Sequence, residues 1–347
     1  MHSLPASVKV AVVGVGRMGR HHARTYANLP DAELVAVVDT DVERAHTIAD
    51  EYGGEALTSV NELLARHPDV TAATIAVPTR YHADAARPLL GRGVACLIEK
   101  PLAESLDVAR ELDQIAHDHQ AVLQVGHTER FNPAVRAVAA MNIPPRYVSV
   151  DRVSPMTFRS LDVGVVMDMM IHDLDIVLML ARSPLKRVDA VGIAVLGEHE
   201  DVAQARLVFE SGCVASLTAS RLALKTERKL RLFSEDAYVS LDYQKRSGIV
   251  IRKAANELAL DEVRHELRAG KDLSDLDYEN LVNVDELTMD LPDGESDPLT
   301  AELASFLHAV RTGGPPEVDA RAGYDAIDAA QRVQHAIREH RWQGLKN

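Results

Sequence analysis

Cysteine is almost missing from this chain of 347 residues: Cys96 and Cys213 are the two present, far apart and without metal-ligand spacing. That pattern fits a reduced compartment and two small buried thiols. Basic residues are also in deficit, 38 Lys+Arg against 52 Asp+Glu, for a net charge of −14. With no basic stripe interleaved by aromatics, this excludes nonspecific nucleic-acid binding. No run approaches ~18 uninterrupted apolar residues, and the first residues lack a charged segment followed by an apolar one. A cytoplasmic protein without a membrane span is expected. Internal repeats and low-complexity tracts are absent too. His172-Asp173-x-Asp175 has no convergent partners at a recognisable spacing, so no metal is expected.

What is there is an alternation. Through the first 125 residues, short apolar runs (Val8–Val13, Leu34–Val38, Ala72–Val77, Val94–Ile98 and Ala121–Val125) are separated by helical patterns near Met18–Asn28, Val42–Tyr52, Val60–Arg66, His82–Arg92 and Ser105–Gln120. Such β-α-β rhythm predicts a doubly wound parallel sheet with right-handed crossovers. Beyond residue 127 a helical stretch, Val163–Ala181, precedes consecutive strand-like runs between Val188 and Lys253, the pattern of a largely antiparallel open sheet. A short helix over Leu258–Arg268, a strand near Leu281–Met289 and two closing helices, Leu299–Arg311 and Arg321–Arg338, complete the reading. The expected division is an N-terminal Rossmann domain over 1–127 and an α+β domain over 128–347 for substrate binding and oligomerisation, the last helix packing back on the first domain.

Gly14-Val15-Gly16-Arg17-Met18-Gly19 directly follows the first strand and opens a helix. Gly14 permits the tight turn, Gly16 the approach of a pyrophosphate, and Gly19 close helix–strand packing, while the amides around Arg17 and Met18 face the phosphates. Asp39 ends the second strand about twenty residues on, where a carboxylate accepts ribose hydroxyls and meets a 2′-phosphate as a like charge. NAD is therefore expected over NADP. Ala76-Val77-Pro78-Thr79-Arg80-Tyr81-His82 closes the third core strand; Pro78, Thr79 and His82 lie where the nicotinamide ribose is reached, although His82 equally suits the start of a helix. Glu99-Lys100-Pro101 follows the strand Val94–Ile98, bringing the Lys100 amine to the sheet's carboxyl edge. Glu99 is either a neighbour of the chemistry or a residue holding the turn. Gly126-His127 ends the fifth strand at the same edge. The pairs His21-His22 and His117/His119 read as solvated helix surface.

These segments, with Arg130-Phe131-Asn132-Pro133 and Asp168-x-x-x-His172, occur in an order that resembles the Gfo/Idh/MocA oxidoreductases over essentially the full length. The resemblance implies a Rossmann domain followed by an open-sheet domain used for dimer or tetramer contacts. It also implies a lysine–aspartate–histidine group, here Lys100, Asp168 and His172. His172 is then the principal acid/base, Lys100 bonds the reacting oxygen or shares its proton, and Asp168 orients one of them. Met170 replaces the glycine of the usual Asp-x-Gly-x-His form. The stretch from Asp151 to Asp173 further resembles bacterial UDP-N-acetylglucosamine 3-dehydrogenases, which implies oxidation at C3 of a sugar nucleotide.

Alcohol oxidation needs a hydride acceptor, a base for the hydroxyl proton and stabilisation of the developing alkoxide. Lys100 fits the last two once burial lowers an amine that otherwise titrates near ~10.4. Arg130, Arg152 and Arg159, with Asn132, are candidates for a substrate pyrophosphate, since arginine meets such oxygens bidentately; ordinary salt bridges are the alternative for each arginine. The competing readings are a free-sugar or inositol dehydrogenase, transient oxidation in support of elimination or epimerisation, and a dinucleotide-binding sensor without chemistry.

Overall fold

Strands made of unbroken small and branched apolar residues bury both faces and need helices on each side. That demand is met in the first half of the chain. The computed structural model describes residues 7–157, 163–276, 282–287, 289 and 297–342. Strands β1 (Val8–Val13), β2 (Ala32–Val38), β3 (Glu55–Leu57), β4 (Ala72–Ile75), β5 (Ala95–Glu99) and β6 (Leu123–Gly126) form a parallel sheet in the order β3-β2-β1-β4-β5-β6. The crossovers are helices α1 (Arg17–Asn28), α2 (Val42–Tyr52), α3 (Val60–Arg66), α4 (His82–Leu90) and α5 (Leu106–Asp118). Local chemistry sets several helix starts: Asp41, Ser59 and Ser105 each accept from the amide three residues on, a cap worth about 1 kcal/mol.

The chain divides into two compact units, 1–131 with 291–329, and 132–290 with 330–347. The first unit therefore includes the helix α9 (Pro298–Thr312) and much of α10 (Ala320–Glu339), a return larger than the single helix expected. Leu303, Phe306 and Leu307 of α9 join Tyr26 and Ala23 of α1 over one sheet face, while Ala320 and Ile327 join the α4 and α5 side of the other. Each fully buried side chain of this size contributes about 1.5–3 kcal/mol through removal of apolar area from water.

The second unit holds a sheet ordered β14-β13-β12-β11-β7-β10-β9-β8. Its strands are β7 (Tyr147–Val153), β8 (Leu185–Ile193), β9 (Val202–Phe209), β10 (Val214–Ser220), β11 (Glu227–Phe233), β12 (Ala237–Asp242), β13 (Ser247–Arg252) and β14 (Asp285–Glu286), with α6 (Pro133–Ala140), α7 (Ile171–Ala181) and α8 (Lys253–Arg268). All its pairings are antiparallel except β7 with β10. Strand β7 was not anticipated: its alternate residues Ser149 and Asp151 interrupt the apolar pattern, yet it lies in the sheet interior. Nor was β3, three residues long, or α6. The helix expected over 163–181 is two elements, a π-helical turn Val166–Met170 and then α7. The amides of Val165 and Val166 bond the carbonyl and carboxylate of Glu200 at 3.0 and 3.2 Å, outside the helical ladder.

Candidate active site

In the first unit the strand order reverses direction at β1 and β4, the point where open parallel sheets bind ligands beyond their carboxyl ends. Three sequence-predicted segments leave the sheet there: the glycine loop after β1, Ala76–Tyr81 after β4 and Lys100-Pro101 after β5. Gly14 has φ +84°, and a Cβ on it would lie 2.6 Å from the Val77 side chain and 2.7 Å from the Val77 amide. A Cβ on Gly19 would collide with the Gly14 carbonyl, so both positions are closed to any side chain. Gly16 is the opposite case. Space beyond its missing Cβ is open, and as N-cap of α1 it has no side chain to satisfy the first-turn amides. An open cradle at an uncapped helix start suits a diphosphate. Arg17 and Met18 are exposed beside it.

Asp39 is buried and fixed by two amides, Val15 to Oδ2 and Asp41 to Oδ1, each at 2.9 Å. The Val15 bond ties the acid directly to the glycine loop. Arg44, which sequence reasoning missed, sits 3.3 Å from both Asp39 oxygens and bonds Asp41 at 2.8 Å. Its signal was available, since Arg44 lies in the first turn of α2 just beyond Asp39 and Asp41. These residues fit a dinucleotide: the open cradle would hold the pyrophosphate and Asp39 the adenosine ribose.

At the β4 end Pro78 is exposed and Thr79 half-buried in a 3-10 turn. His82 needs correction. It is buried with Nε2 2.9 Å from the Val77 carbonyl and Nδ1 3.0 Å from the Pro101 carbonyl. Burial lowers its pKa below the ordinary histidine range, against the pull of those carbonyls. A neutral ring has one N–H, donated to one carbonyl. His82 is a strut between the β4 turn and the lysine corner, with both ring nitrogens turned inward to backbone carbonyls.

Lys100 is half-buried, and its amide donates to Glu99 Oε2 at 3.3 Å. Glu99 turns inward, its Oε1 2.9 Å from His22 Nε2, rather than outward to a cofactor. His22, expected on a solvated helix face, is fully buried; His117 and His119 are exposed. Burial works against a charge on Glu99, but the His22 hydrogen bond and the charges of His22 and Lys100 hold its carboxyl below the usual range. His127 is buried at the end of β6, and Arg130 is half-buried in the turn after it.

In the second unit Asp168 lies within the π-helical turn and His172 in the first turn of α7, both half-buried. A π turn changes the angular offset between positions four apart, so the simple helical face drawn from their spacing does not apply. Such turns occur often at functional sites. Met170, in place of the expected glycine, is fully buried. Asn132 caps α6 through its side-chain oxygen, which accepts from Ala134 at 3.0 Å. Arg152, a candidate for substrate phosphate, is instead buried and forked against Asp173, Nε to Oδ2 at 2.7 Å and Nη2 to Oδ1 at 2.8 Å. The salt-bridge alternative describes it. Arg159 lies outside the described residues. Among the described residues no cluster of histidine, cysteine and acidic side chains is placed to hold a metal, and no helix is long and apolar enough to cross a membrane.

Comparison with known proteins agrees with this architecture. Residues 8–127 match the model of the oxidoreductase family with an NAD-binding Rossmann fold, and 135–240 match the GFO/IDH/MocA C-terminal domain. A UDP-N-acetylglucosamine 3-dehydrogenase of Acidithiobacillus ferrooxidans is 33% identical over 331 residues, 95% of this chain and 97% of that protein. Its solved structure superposes with a TM-score of 0.82 at 32% identity, covering 95% of this chain and 98% of that one. A Bacillus subtilis scyllo-inositol 2-dehydrogenase (NAD(+)) is 30% identical over 230 residues, 62% of this chain and 67% of its own length. With a reversed-order parallel sheet, a glycine cradle tied to Asp39 and a lysine corner after β5, the chain belongs to the Gfo/Idh/MocA family of oxidoreductases.

Proposed function

We propose that this protein oxidises a secondary hydroxyl of a sugar with NAD, and that its substrate is UDP-N-acetylglucosamine, oxidised at C3. The observation that carries the reading is the identity of 33% maintained across 95% of the chain with a dehydrogenase of that substrate. Bound nicotinamide dinucleotide supplies the hydride acceptor. His172 takes the hydroxyl proton, Lys100 donates to the reacting oxygen as negative charge develops on it, and Asp168 orients the histidine or the lysine. Asp39 favours NAD by repelling a 2′-phosphate, although Arg44 beside it offsets part of that repulsion. Arg130 and Arg159 are the remaining arginine candidates for the sugar-nucleotide diphosphate, since Arg152 is committed to Asp173. The protein works in the cytoplasm as a homodimer or homotetramer through its second sheet. The tilted ring row Tyr147, Phe233 and Tyr238, with centroids 5.6 and 4.9 Å apart, supplies apolar surface for that contact.

A free-inositol dehydrogenase is the second reading, favoured by the inositol dehydrogenase relatives and by the withdrawal of Arg152 from the cationic set. Incubation with NAD or NADP and UDP-N-acetylglucosamine, N-acetylglucosamine, myo-inositol or scyllo-inositol, followed through absorbance of the reduced cofactor, separates them. Turnover of the UDP-sugar with NAD is expected. Turnover restricted to free polyols sinks the substrate assignment, and failure with every substrate alongside tight dinucleotide binding favours a sensor.

A further inference from the structure

Behind the lysine corner lies a buried polar cluster that the proposed chemistry does not use. His22 from α1 meets Glu99 at the end of β5. Glu302 from α9, fully buried, accepts a hydrogen bond from the Thr128 hydroxyl at 2.8 Å, and its backbone carbonyl accepts from the Gln124 side chain at 3.2 Å. Room for the Glu99 carboxylate comes from Gly126, where a Cβ would stand 3.0 Å from the Glu99 Cα and 3.2 Å from its Oε2. We propose that His22, Glu99 and Glu302 are positioning residues for Lys100, holding a single negative charge on Glu99 directly behind the lysine while Glu302 stays protonated. This rests on the reading of Lys100 as a group that touches the reacting oxygen.

Two buried carboxylates that feel one another do not both ionise readily. Glu99 keeps the charge because it has the His22 ring on one oxygen and the Lys100 amide on the other. Glu302 has a neutral hydroxyl as its side-chain partner. Burial first, then the charges of Glu99 and Glu317, push its pKa well above the carboxylate range. Among the other groups facing the cluster, Tyr26 is tied to Thr74 at 2.8 Å and His82 to backbone carbonyls, while His127 is buried beside Thr128. A purely structural ion pair is a poor source of stability when buried. The cluster also leaves His22 Nδ1, Gln124 Oε1 and Glu302 Oε1 without a hydrogen-bond partner among the described residues, which burial for stability alone does not explain.

The test combines kinetics with a spectroscopic readout. The limb of the pH profile of kcat/KM that disappears in Lys100→Ala identifies the lysine. In His22→Ala, Glu99 loses its partner and neutralises, so that limb moves down by about one pH unit and kcat falls about tenfold; His22→Gln, which keeps a donor, restores part of both. Glu302→Ala lowers kcat and Glu302→Gln restores it with the limb in place. A downward shift in Glu302→Gln means that a charge has been removed, and overturns the proposal; so does a limb unmoved in His22→Ala. In the unsubstituted holoenzyme at neutral pH, infrared difference spectra against Glu302→Gln should show a protonated carboxyl stretch. Its absence sinks the cluster whatever the kinetics show. Full turnover in Lys100→Ala sinks the reading of the lysine instead, with the infrared band still reporting on Glu302.

Discussion

Strands β4 and β5 are buried at every position, whereas β7 and β10 alternate half-buried and buried residues along their length. A strand covered on both faces has no solvent-facing side, so the parallel sheet presents its candidate site residues at strand ends: Gly14 after β1, Thr79 after β4, Lys100 after β5. The second sheet instead keeps one face half-buried, where polar side chains such as Ser149 and Thr218 alternate with the core. The two units also bury charge differently. In the second, Arg152 with Asp173 and Arg221 with Asp201 are tight pairs at 2.7 Å, each neutral as a unit. In the first, two buried acids, Glu99 and Glu302, have unlike partners, the His22 ring for one and the Thr128 hydroxyl for the other. Paired charge fixes geometry; unequal charge sets the electrostatics of a neighbour.

The sharpest break between the two regions is kinetic. Lys100→Ala and His172→Ala should each lower kcat by about 10²–10⁴-fold, the usual range for a lost acid/base group, while dinucleotide binding measured by calorimetry is retained. Loss of binding in Lys100→Ala would make the lysine a cofactor ligand rather than a participant in proton transfer. Next in size is a stability effect confined to the second unit. Asp173→Ala removes the carboxylate forked against the buried Arg152, and breaking such a buried pair costs about 3–5 kcal/mol, read as a lowered urea midpoint. Arg152→Ala should behave alike, and a raised KM for substrate at an unchanged midpoint would return Arg152 to the phosphate site.

The smallest expected effect is on acid stability. Burial opposes the charge on Asp201, but the amides of Leu196 and Val195 and the Arg221 guanidinium win and bring its pKa from 3.8 to about 2. A depressed folded-state pKa contributes stability that is complete above the unfolded value and fades as pH falls from 3.8 towards about 2. Asp201→Asn should therefore be less stable at neutral pH and show a flatter loss of stability through that window in denaturant titrations. An unchanged slope would place the acid sensitivity elsewhere.

Much of this was legible from residues alone. The bounds of β1, α2 and α3 coincide with their apolar patterns or with the caps at Asp41 and Ser59. The candidate cofactor glycines, Asp39 and the lysine corner were placed by sequence because their neighbours in sequence are their neighbours in space. His22 was misjudged because its partner Glu99 lies 77 residues away, and helical periodicity around Met18–Asn28 carries no trace of it. Glu302 drew no reading from the sequence, since its bond to Thr128 spans 174 residues.

Local pattern therefore determined the β-α-β order, the glycine turn after β1 and the type of ion each strand end presents, because backbone geometry and burial of both sheet faces follow from a few adjacent residues. Tertiary structure alone decided which charges are neutralised, which acid keeps its proton and which arginine is withdrawn from solvent. Those outcomes depend on distances between groups far apart in the chain and on the water removed around them, and neither quantity is written in any short stretch of sequence.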